Sequence, residues 1–279
     1  MGKGEGSTIR LPAFSTCRER HDETFLLRAV RPPLTSGGGG GTVTWSIIAR
    51  EPATGRLGIA AASRFFALGA RVPFVETGVG IVATQALLNP LYGRKGLALL
   101  REGHTAQEAV DLMVAADDGR EARQVHAMDA RGGVGAFTGS DCVAWCGHIT
   151  GTDCSAAGNM LAGPEVIEAT VAAYESRHDL PMARRLIAAM MAGEAAGGDM
   201  RGRQSASLIV LDEQEYSELD FRVDDHEDPL AELTRLEQVS RERWVHFRRF
   251  LPTRENPAGI TDRSRIDAEI AAATARKEP

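Results

Sequence analysis

Short runs of apolar and β-branched residues, bounded by turn residues, recur along the chain from Thr44 onward and predict β-strands. They are TWSIIARE, RLGIAAAS, VGIVATQAL, RQVHAMDA, GVGAFTG, SASLIVLDE and ELDFRVDD, and the run CVAWCGHITGTDCSAAGN predicts one or two more. The sequences PATG and RGG each separate two such runs by a turn, which is a hairpin signal.

A helical period marks five other segments, and a further short helix is predicted near residues 264–275. The five are GRKGLALLREG, TAQEAVDLMVAADDG, GPEVIEATVAAYESRH, LPMARRLIAAMMAG and DPLAELTRLEQVSRERWVHF. Thr105 and Glu108 have the spacing of a capping box at the start of the second helix. Asp228 and Pro229 suit the N-cap and first position of the last one.

Helices therefore arrive in pairs between groups of strands, which differs from the regular strand–helix alternation of a doubly wound parallel sheet. This order favours an α+β fold with helices layered on antiparallel sheets, and a four-layer α-β-β-α sandwich fits it. Residues 1–43 show no period and contain the run Gly37–Gly41. We expect them to be a mostly disordered upstream extension or propeptide, followed by a domain over 44–250 and a polar C-terminal tail over 251–279.

Composition narrows the classes of function. The chain has 279 residues, 43% of them hydrophobic, and a formal charge of −6, which gives no basic footprint for nucleic acid. No apolar run reaches the roughly 20 residues that span a bilayer, and no apolar core of a signal peptide is visible near the N-terminus. We therefore expect a cytoplasmic protein. The glycine-rich stretches lack the context of a dinucleotide or ATP site.

Three cysteines and a histidine lie close together in CVAWCGHITGTDC, at Cys142, Cys146, His148 and Cys154. They could be read as a zinc site, but their spacing matches no common zinc knuckle. The alternative is that the cysteines are reduced and simply small buried residues. We expect no metal.

Five blocks of the sequence, over about residues 44–240, stand out together. They are TWSIIAREPATGRLGIAAASRFFALGARVP, GVGIVATQALLNPLYGRKGLALLREG, AAGNMLAGPEV, GGDMRGRQSASLIV and FRVDDHEDPLAEL. These blocks resemble the domain-of-unknown-function 1028 (DUF1028) family. The family is similar in fold to the N-terminal nucleophile (Ntn) hydrolases and has no settled substrate. The resemblance implies an Ntn-hydrolase-like sandwich and amide hydrolysis as the reaction class. Such a sandwich often pairs, so a homodimer is one expected assembly.

Members of that family typically begin Met-Thr-aromatic-Ser-Ile-Val-Ala, and VTWSIIA stands at that place here with Val43 where the initiator would be. One hypothesis is that Val43 is the true start, encoded by GTG, and is trimmed to expose Thr44. A competing hypothesis is that residues 1–43 are a propeptide removed by self-cleavage. Either would give Thr44 the free α-amine that serves as base for its hydroxyl in Ntn enzymes. The alternative is that Thr44 is simply the first residue of a strand.

Other candidate residues fall on the same blocks. Ser46 shares a strand face with Thr44 and could assist, be an alternative nucleophile or be a core serine. Asn159 could donate a hydrogen bond to an oxyanion, or it could adopt the left-handed backbone conformation of a turn. The candidate substrate-binding residues, each of which could instead be structural, are Ser63, Arg64, Thr84, Gln85, Asp199, Arg201, Gln204, Ser205 and Asp225. We expect Ser63 and Thr84 to lie near Thr44.

The sequence therefore favours an enzyme of the Ntn type that cleaves a small amide or peptide-like bond through Thr44, with no cofactor. The alternative is a non-catalytic module that binds a ligand on the same fold. Many threonine Ntn enzymes use a lysine to tune the amine, and Lys95 is the only lysine between Lys3 and Lys277. The expected partner is a small molecule rather than nucleic acid or a membrane.

Overall fold

A computed structural model describes residues 44–276. The predictions for residues 1–43, including the Val43 start and the propeptide, lie outside these residues.

Ten strands and seven α-helices make up the described part of the chain. The strands are β1 Thr44–Arg50, β2 Leu57–Ser63, β3 Pro73–Glu76, β4 Gly80–Ala86, β5 Arg123–Asp129, β6 Val134–Thr138, β7 Trp145–Gly151, β8 Cys154–Leu161, β9 Ser205–Leu211 and β10 Ser217–Val223. The helices are α1 Pro90–Arg101, α2 Ala106–Ala115, α3 Glu165–Ser176, α4 Met182–Ala195, α5 Pro229–Ser240, α6 Trp244–Phe247 and α7 Arg263–Ala275. The prediction of a mixed α+β fold is confirmed.

The strands form two antiparallel sheets. The larger has the order β10-β9-β2-β1-β8-β7, and the smaller has the order β3-β4-β5-β6. The first strand of the domain, β1, thus lies inside the larger sheet with β2 on one side and β8 on the other. Both of its neighbours hydrogen-bond to it along nearly its whole length, which fixes the position of Thr44.

Alternation along each strand sends side chains into different layers. Trp45 and Ile47 of β1 pack against α3 and α4 on the outer face of the larger sheet, whereas Ile48 lies in an apolar cluster between the sheets. Val82 and Val125 of the smaller sheet pack outward with α1 and α2. The packing order is therefore helices, sheet, sheet, helices, and the even-numbered residues of β1 face the second sheet.

Several helix boundaries agree with the prediction. The capping box of Thr105 and Glu108 is present, Asp228 caps α5 and α7 forms in the predicted tail. This last helix packs through Ile266 and Ile270 on Phe250, so the tail is tied to the preceding segment.

Three local predictions differ from the structure. Strand β3 was not predicted because it has only four half-buried residues and begins with proline, which suits its place at a sheet edge. Helix α1 begins at Pro90, ahead of the predicted GRKGLALLREG, because Asn89 accepts from the Leu91 N–H and caps the helix there. The last predicted helix divides, since α5 ends at Ser240 and α6 is separate.

No helix within residues 44–276 is both long enough and apolar enough to pass through a bilayer.

Candidate active site

A row of polar side chains crosses the larger sheet at one end of its four central strands. Ser205 pairs with Ser63 between β9 and β2, and Thr44 pairs with Asn159 between β1 and β8. The four residues are all buried, and all belong to the predicted site residues. Because they stand at strand ends on neighbouring strands, residues far apart in sequence form one local surface.

Thr44 is held at the centre of this row. Its hydroxyl Oγ1 donates to Ser63 Oγ at 3.3 Å, and its main-chain oxygen accepts from Asn159 Nδ2 at 3.2 Å. Thr44 is 2% exposed. The expectation that Ser63 lies near Thr44 therefore agrees with the geometry, and the threonine is fixed on both sides.

Below the row, a buried hydrogen-bond network joins the two sheets. Gln85 of β4 and Gln124 and His126 of β5 reach across from the smaller sheet to Ser46 and Asn159 of the larger one. Neither Gln124 nor His126 was singled out from the sequence. In RQVHAMDA they alternate with apolar residues, and that alternation of buried polar side chains is the signal that could have pointed to them.

The direction of these hydrogen bonds is set by main-chain carbonyls, which can only accept. Gln124 Nε2 lies 3.0 Å from the oxygen of Gly147 and 2.9 Å from that of Gly158, so its amide nitrogen must face them. Gln124 Oε1 therefore accepts, from Gln85 Nε2 at 2.8 Å and from Asn159 Nδ2 at 3.0 Å. The orientation of all three amides follows from two carbonyl groups.

The same logic extends to the serine and histidine beneath Thr44. Gln85 Oε1 accepts the single hydroxyl proton of Ser46 at 2.8 Å. Ser46 Oγ must then accept from His126 Nε2, 2.9 Å away, and His126 Nδ1 accepts from Ser155 Oγ at 3.1 Å. His126 is thus neutral with its proton on Nε2.

Burial, followed by the nearby His148, lowers the pKa of His126 to about 3, in agreement with a neutral ring. A base for Ser46 would have to accept its proton, yet this imidazole donates to Ser46. The geometry therefore favours the core-serine interpretation of Ser46 over its role as an alternative nucleophile.

Asn159, the predicted oxyanion donor, makes two hydrogen bonds through its side-chain nitrogen. Its Nδ2 carries two N–H groups, and these donate to Thr44 O and to Gln124 Oε1. Both are engaged within the protein. As arranged, Asn159 holds the main chain of Thr44 in place and links it to the smaller sheet.

Thr84 is the one candidate of β4 that does not face this network. It pairs with Val125, whose side chain belongs to the outer cluster with α1 and α2, and its hydroxyl accepts from the Asn89 N–H at 3.2 Å. Gln85, the next residue, faces the opposite way into the network. Thr84 therefore fixes the loop before α1 and does not contact Thr44, contrary to expectation, because successive strand residues alternate in direction.

The loop before β9 is pinned by a buried carboxylate. Asp199 accepts from the main-chain N–H groups of Arg64 and Arg201, both at 2.8 Å, and pairs with the Arg201 guanidinium at 3.3 Å. Asp199 and Arg201 thus form an ion pair within this loop. Arg64 Nη1 also donates to the carbonyl of Arg201, which closes the loop over the end of β2.

The remaining candidates support the same loop. Gln204 donates from its main chain to the Ser63 carbonyl at 3.1 Å and from its side chain to Asp225 at 3.0 Å. Ser205 donates to the carbonyl of Phe65. Asp225 is exposed and lies on the outside of this arrangement, whereas Ser205 belongs to the buried row.

Two strained backbone positions flank the network. Ala86 directly follows Gln85 and has φ 64°, and Met160 directly follows Asn159 and has φ 52°. Left-handed backbone costs a residue with a Cβ about 1–2 kcal/mol, and such strain often clusters at functional sites. Gln85 and Asn159, whose side-chain amides both donate to Gln124, are thus each followed by a residue that departs from regular β geometry.

The cysteine cluster predicted from the sequence divides between two places. Cys142 and Cys146 pack beside Ala86, whereas Cys154 stands at the turn of the β7–β8 hairpin in the cluster under α3. Burial raises the pKa of the Cys154 thiol to about 12. Within residues 44–276, no three side chains of the metal-binding types are grouped to hold an ion.

The lysine expected to tune an N-terminal amine is not at this site. Lys95 is the only lysine among residues 44–276, and it is exposed on α1 in the outer helix layer. The side chains that contact Thr44 directly, Ser63 and Asn159, are both neutral.

A comparison with protein families gives a match over residues 44–233 to a family of unknown function, DUF1028. The chain belongs to this family. Among solved structures, the DUF1028 protein SPO2555 from Silicibacter pomeroyi superposes with a TM-score of 0.74 at 34% identity, covering 79% of this chain and 96% of that chain. Anbu, the ancestral beta-subunit from Yersinia bercovieri, superposes with a TM-score of 0.36 at 11% identity, covering 70% of this chain and 94% of its own. No curated protein matches this DUF1028 chain.

Proposed function

We propose that this protein is an amide hydrolase of the N-terminal nucleophile type and that Thr44 is its nucleophile. The observation that carries the proposal is the placement of Thr44, at a buried strand end between Ser63 and Asn159. Two further facts support it. The family match begins at Thr44, and the helix–sheet–sheet–helix packing is the layer order of an Ntn-like sandwich.

The chemistry requires that no peptide bond precede Thr44. Its α-amine, with an ordinary pKa near 7.7–8.0, then accepts the hydroxyl proton as Oγ1 attacks the amide carbonyl. The C–N bond breaks, the proton passes to the leaving amine, and an ester joins the acyl group to Thr44. Water then cleaves this ester with the α-amine again acting as base, which releases a carboxylic acid and restores the threonine.

The neighbours have separate tasks in this scheme. Ser63 Oγ lies 3.3 Å from Thr44 Oγ1, and this contact sets the rotamer of the threonine. Asn159 holds the Thr44 carbonyl, which positions the residue without taking part in proton transfer. Gln124 orients Asn159 and so acts one step further from the reaction.

One observation favours a second candidate function, a non-catalytic module that binds a ligand at the same place. In the full sequence Val43 precedes Thr44, so the α-nitrogen belongs to a peptide bond unless the chain is processed. The engaged Asn159 amide also leaves no free donor of its own for an oxyanion.

The state of the N-terminus distinguishes the hydrolase from the binding module. The protein is purified from the cells that naturally make it, and intact-mass and N-terminal analysis reads its first residue. A hydroxyl-directed acylating probe is then applied to this protein and to Thr44→Ala and Thr44→Ser variants made in the same cells. We expect a chain that begins at Thr44, with labelling kept by Thr44→Ser and lost by Thr44→Ala. Protein from its own cells in which Val43 remains attached to Thr44 would leave only the binding module.

A further inference from the structure

The five most exposed large hydrophobic side chains of residues 44–276 all lie on segments next to strand ends. Their exposure ranges from 54% to 77%, whereas the next such side chain reaches 48%. We name this group the apolar rim, and its members are Phe66, Leu87, Leu91, Val143 and Met200. Large apolar side chains clustered on a surface commonly mark a place of binding.

Main-chain contacts place two members beside Asn159, and position along the chain places the others next to strand ends. Val143 and Met200 flank the residue after Asn159, because the N–H of Met160 donates to the Val143 carbonyl and its oxygen accepts from the Met200 N–H. Leu87 follows the strained Ala86 at the end of β4.

The other two members follow the ends of β4 and β2. Leu91 is in the first turn of α1, which begins just after β4. Phe66 comes three residues after Ser63, the last residue of β2. The five residues of the rim thus lie on segments next to strand ends of both sheets, at the same end of the strands as Thr44.

A positively charged side chain, that of Arg64, lies in the same region. Arg64 follows Ser63 directly and is exposed, and within residues 44–276 its guanidinium makes a single hydrogen bond, from Nη1 to the Arg201 carbonyl. No acceptor among these residues is bonded to its Nε or Nη2 groups, so both can donate to a ligand. A guanidinium with spare N–H groups suits a carboxylate.

We infer that the substrate is an N-acyl amino acid whose acyl chain is long and apolar. The inference rests on the proposed function, since it names the compound on which Thr44 acts. The acyl chain lies on the apolar rim, the scissile amide reaches Thr44, and the carboxylate of the amino-acid part pairs with Arg64. Hydrolysis then gives a fatty acid and a free amino acid, with water as the only co-reactant.

Binding is measured first, on protein that carries Thr44→Ala and has the N-terminus its own cells give it. Isothermal titration with N-decanoylglycine and N-acetylglycine compares a long acyl chain with a short one. We expect the decanoyl compound to bind at least about tenfold more tightly, since each buried methylene contributes about 0.8 kcal/mol and about 1.4 kcal/mol is tenfold.

Variants then separate the two contacts. Leu91→Ser with Met200→Ser should weaken binding of N-decanoylglycine about tenfold and leave N-acetylglycine unchanged. Arg64→Gln should weaken both compounds by a similar factor. Leu112→Ser, which changes an exposed leucine on α2, is the matched control and should change neither.

The outcomes distinguish this inference from the proposed function. Chain-length-dependent binding without release of glycine by the Thr44 protein would support a site for this ligand and contradict the hydrolase. Turnover that ignores acyl length, or binding indifferent to the rim variants, would overturn the inference and leave the hydrolase. Sedimentation is measured on the same variants, and a dimer that the rim substitutions convert to monomer would assign the rim to a second copy and overturn the inference.

Discussion

Gln124 and Asn159 lie on different sheets, yet Asn159 Nδ2 donates to Gln124 Oε1 at 3.0 Å. Gln124 also donates to two carbonyls of the larger sheet, so one side chain of β5 makes contacts on both sides of the interface. The position of Thr44 thus depends on a residue of the opposite sheet.

Replacement of Gln124 by leucine should therefore destabilise the protein strongly. The change removes the donor to the buried carbonyls of Gly147 and Gly158 and the acceptor of one N–H of each of the Gln85 and Asn159 amides. Each such loss costs roughly 1–3 kcal/mol, so we expect the free energy of unfolding to fall by about 3 kcal/mol or more. Urea denaturation measures it, with Gln238→Leu on the surface of α5 as the control, expected within about 0.5 kcal/mol of wild type. A loss as small as that of the control would mean that water replaces the amide.

The neutral His126 predicts a specific dependence of stability on pH. Its pKa is about 3 in the folded protein, below the ordinary value of 6.5 that applies to the unfolded chain. As pH falls below 6.5 the unfolded chain takes up a proton that the folded protein does not, so the free energy of unfolding decreases until about pH 3. Above pH 6.5 this residue contributes no slope.

The measurement compares urea denaturation of wild type and His126→Gln between pH 7 and pH 4.5. As pH falls, the free energy of unfolding of the wild type should decrease by up to about 1.4 kcal/mol per pH unit more than that of His126→Gln. The control His178→Gln, at an exposed position, should keep the wild-type slope. Imidazole nitrogen NMR of the wild type at pH 5 gives a second test. Signals of a doubly protonated ring, or of a ring with its proton on Nδ1, would contradict the assigned tautomer.

Two Asp–Arg pairs of similar spacing offer a matched comparison. Asp199 is buried and accepts two main-chain N–H groups as well as Arg201, whereas Asp179 is exposed and pairs with Arg177 alone. Asp199→Ala should lower the free energy of unfolding by about 2–4 kcal/mol, because it leaves those N–H groups without acceptors. Asp179→Ala should show little change, since exposed pairs contribute little. Equal effects in calorimetry would show that the loop before β9 is not pinned by Asp199.

Backbone strain can be tested at Ala144, which is exposed and has φ 55°. Glycine adopts this conformation freely, so Ala144→Gly should raise the free energy of unfolding by about 0.5–1 kcal/mol. The control is Ala172→Gly at an exposed position inside α3, which should lower it by about 1 kcal/mol. Destabilisation by both substitutions would show that the left-handed turn before β7 is not strained.

Local pattern was enough to predict much of the fold. The hairpin of β1 and β2, the capped helices and the sharing of a face by Thr44 and Ser46 all depend on near neighbours in sequence. Strand β3 was missed because four half-buried residues carry no clear period.

The candidate site was predicted less completely, and the reason is distance along the chain. Gln124 is 35 residues from Asn159, and His126 is 80 residues from Ser46, so no local pattern joins them. The expectation that Thr84 lies near Thr44 failed for a different reason. A fully buried strand such as β4 has no polar face, so its sequence alone does not indicate that Gln85, rather than Thr84, faces the network.

The pairing of β1 on both sides has a consequence for protein engineering. The main chain at Thr44 is anchored by its sheet neighbours, and the reactive group is a small attachment to that frame. A thiol introduced by Thr44→Cys would occupy the same spot without redesign of the surrounding scaffold, so the reactivity of this position can be altered while the architecture stays as it is.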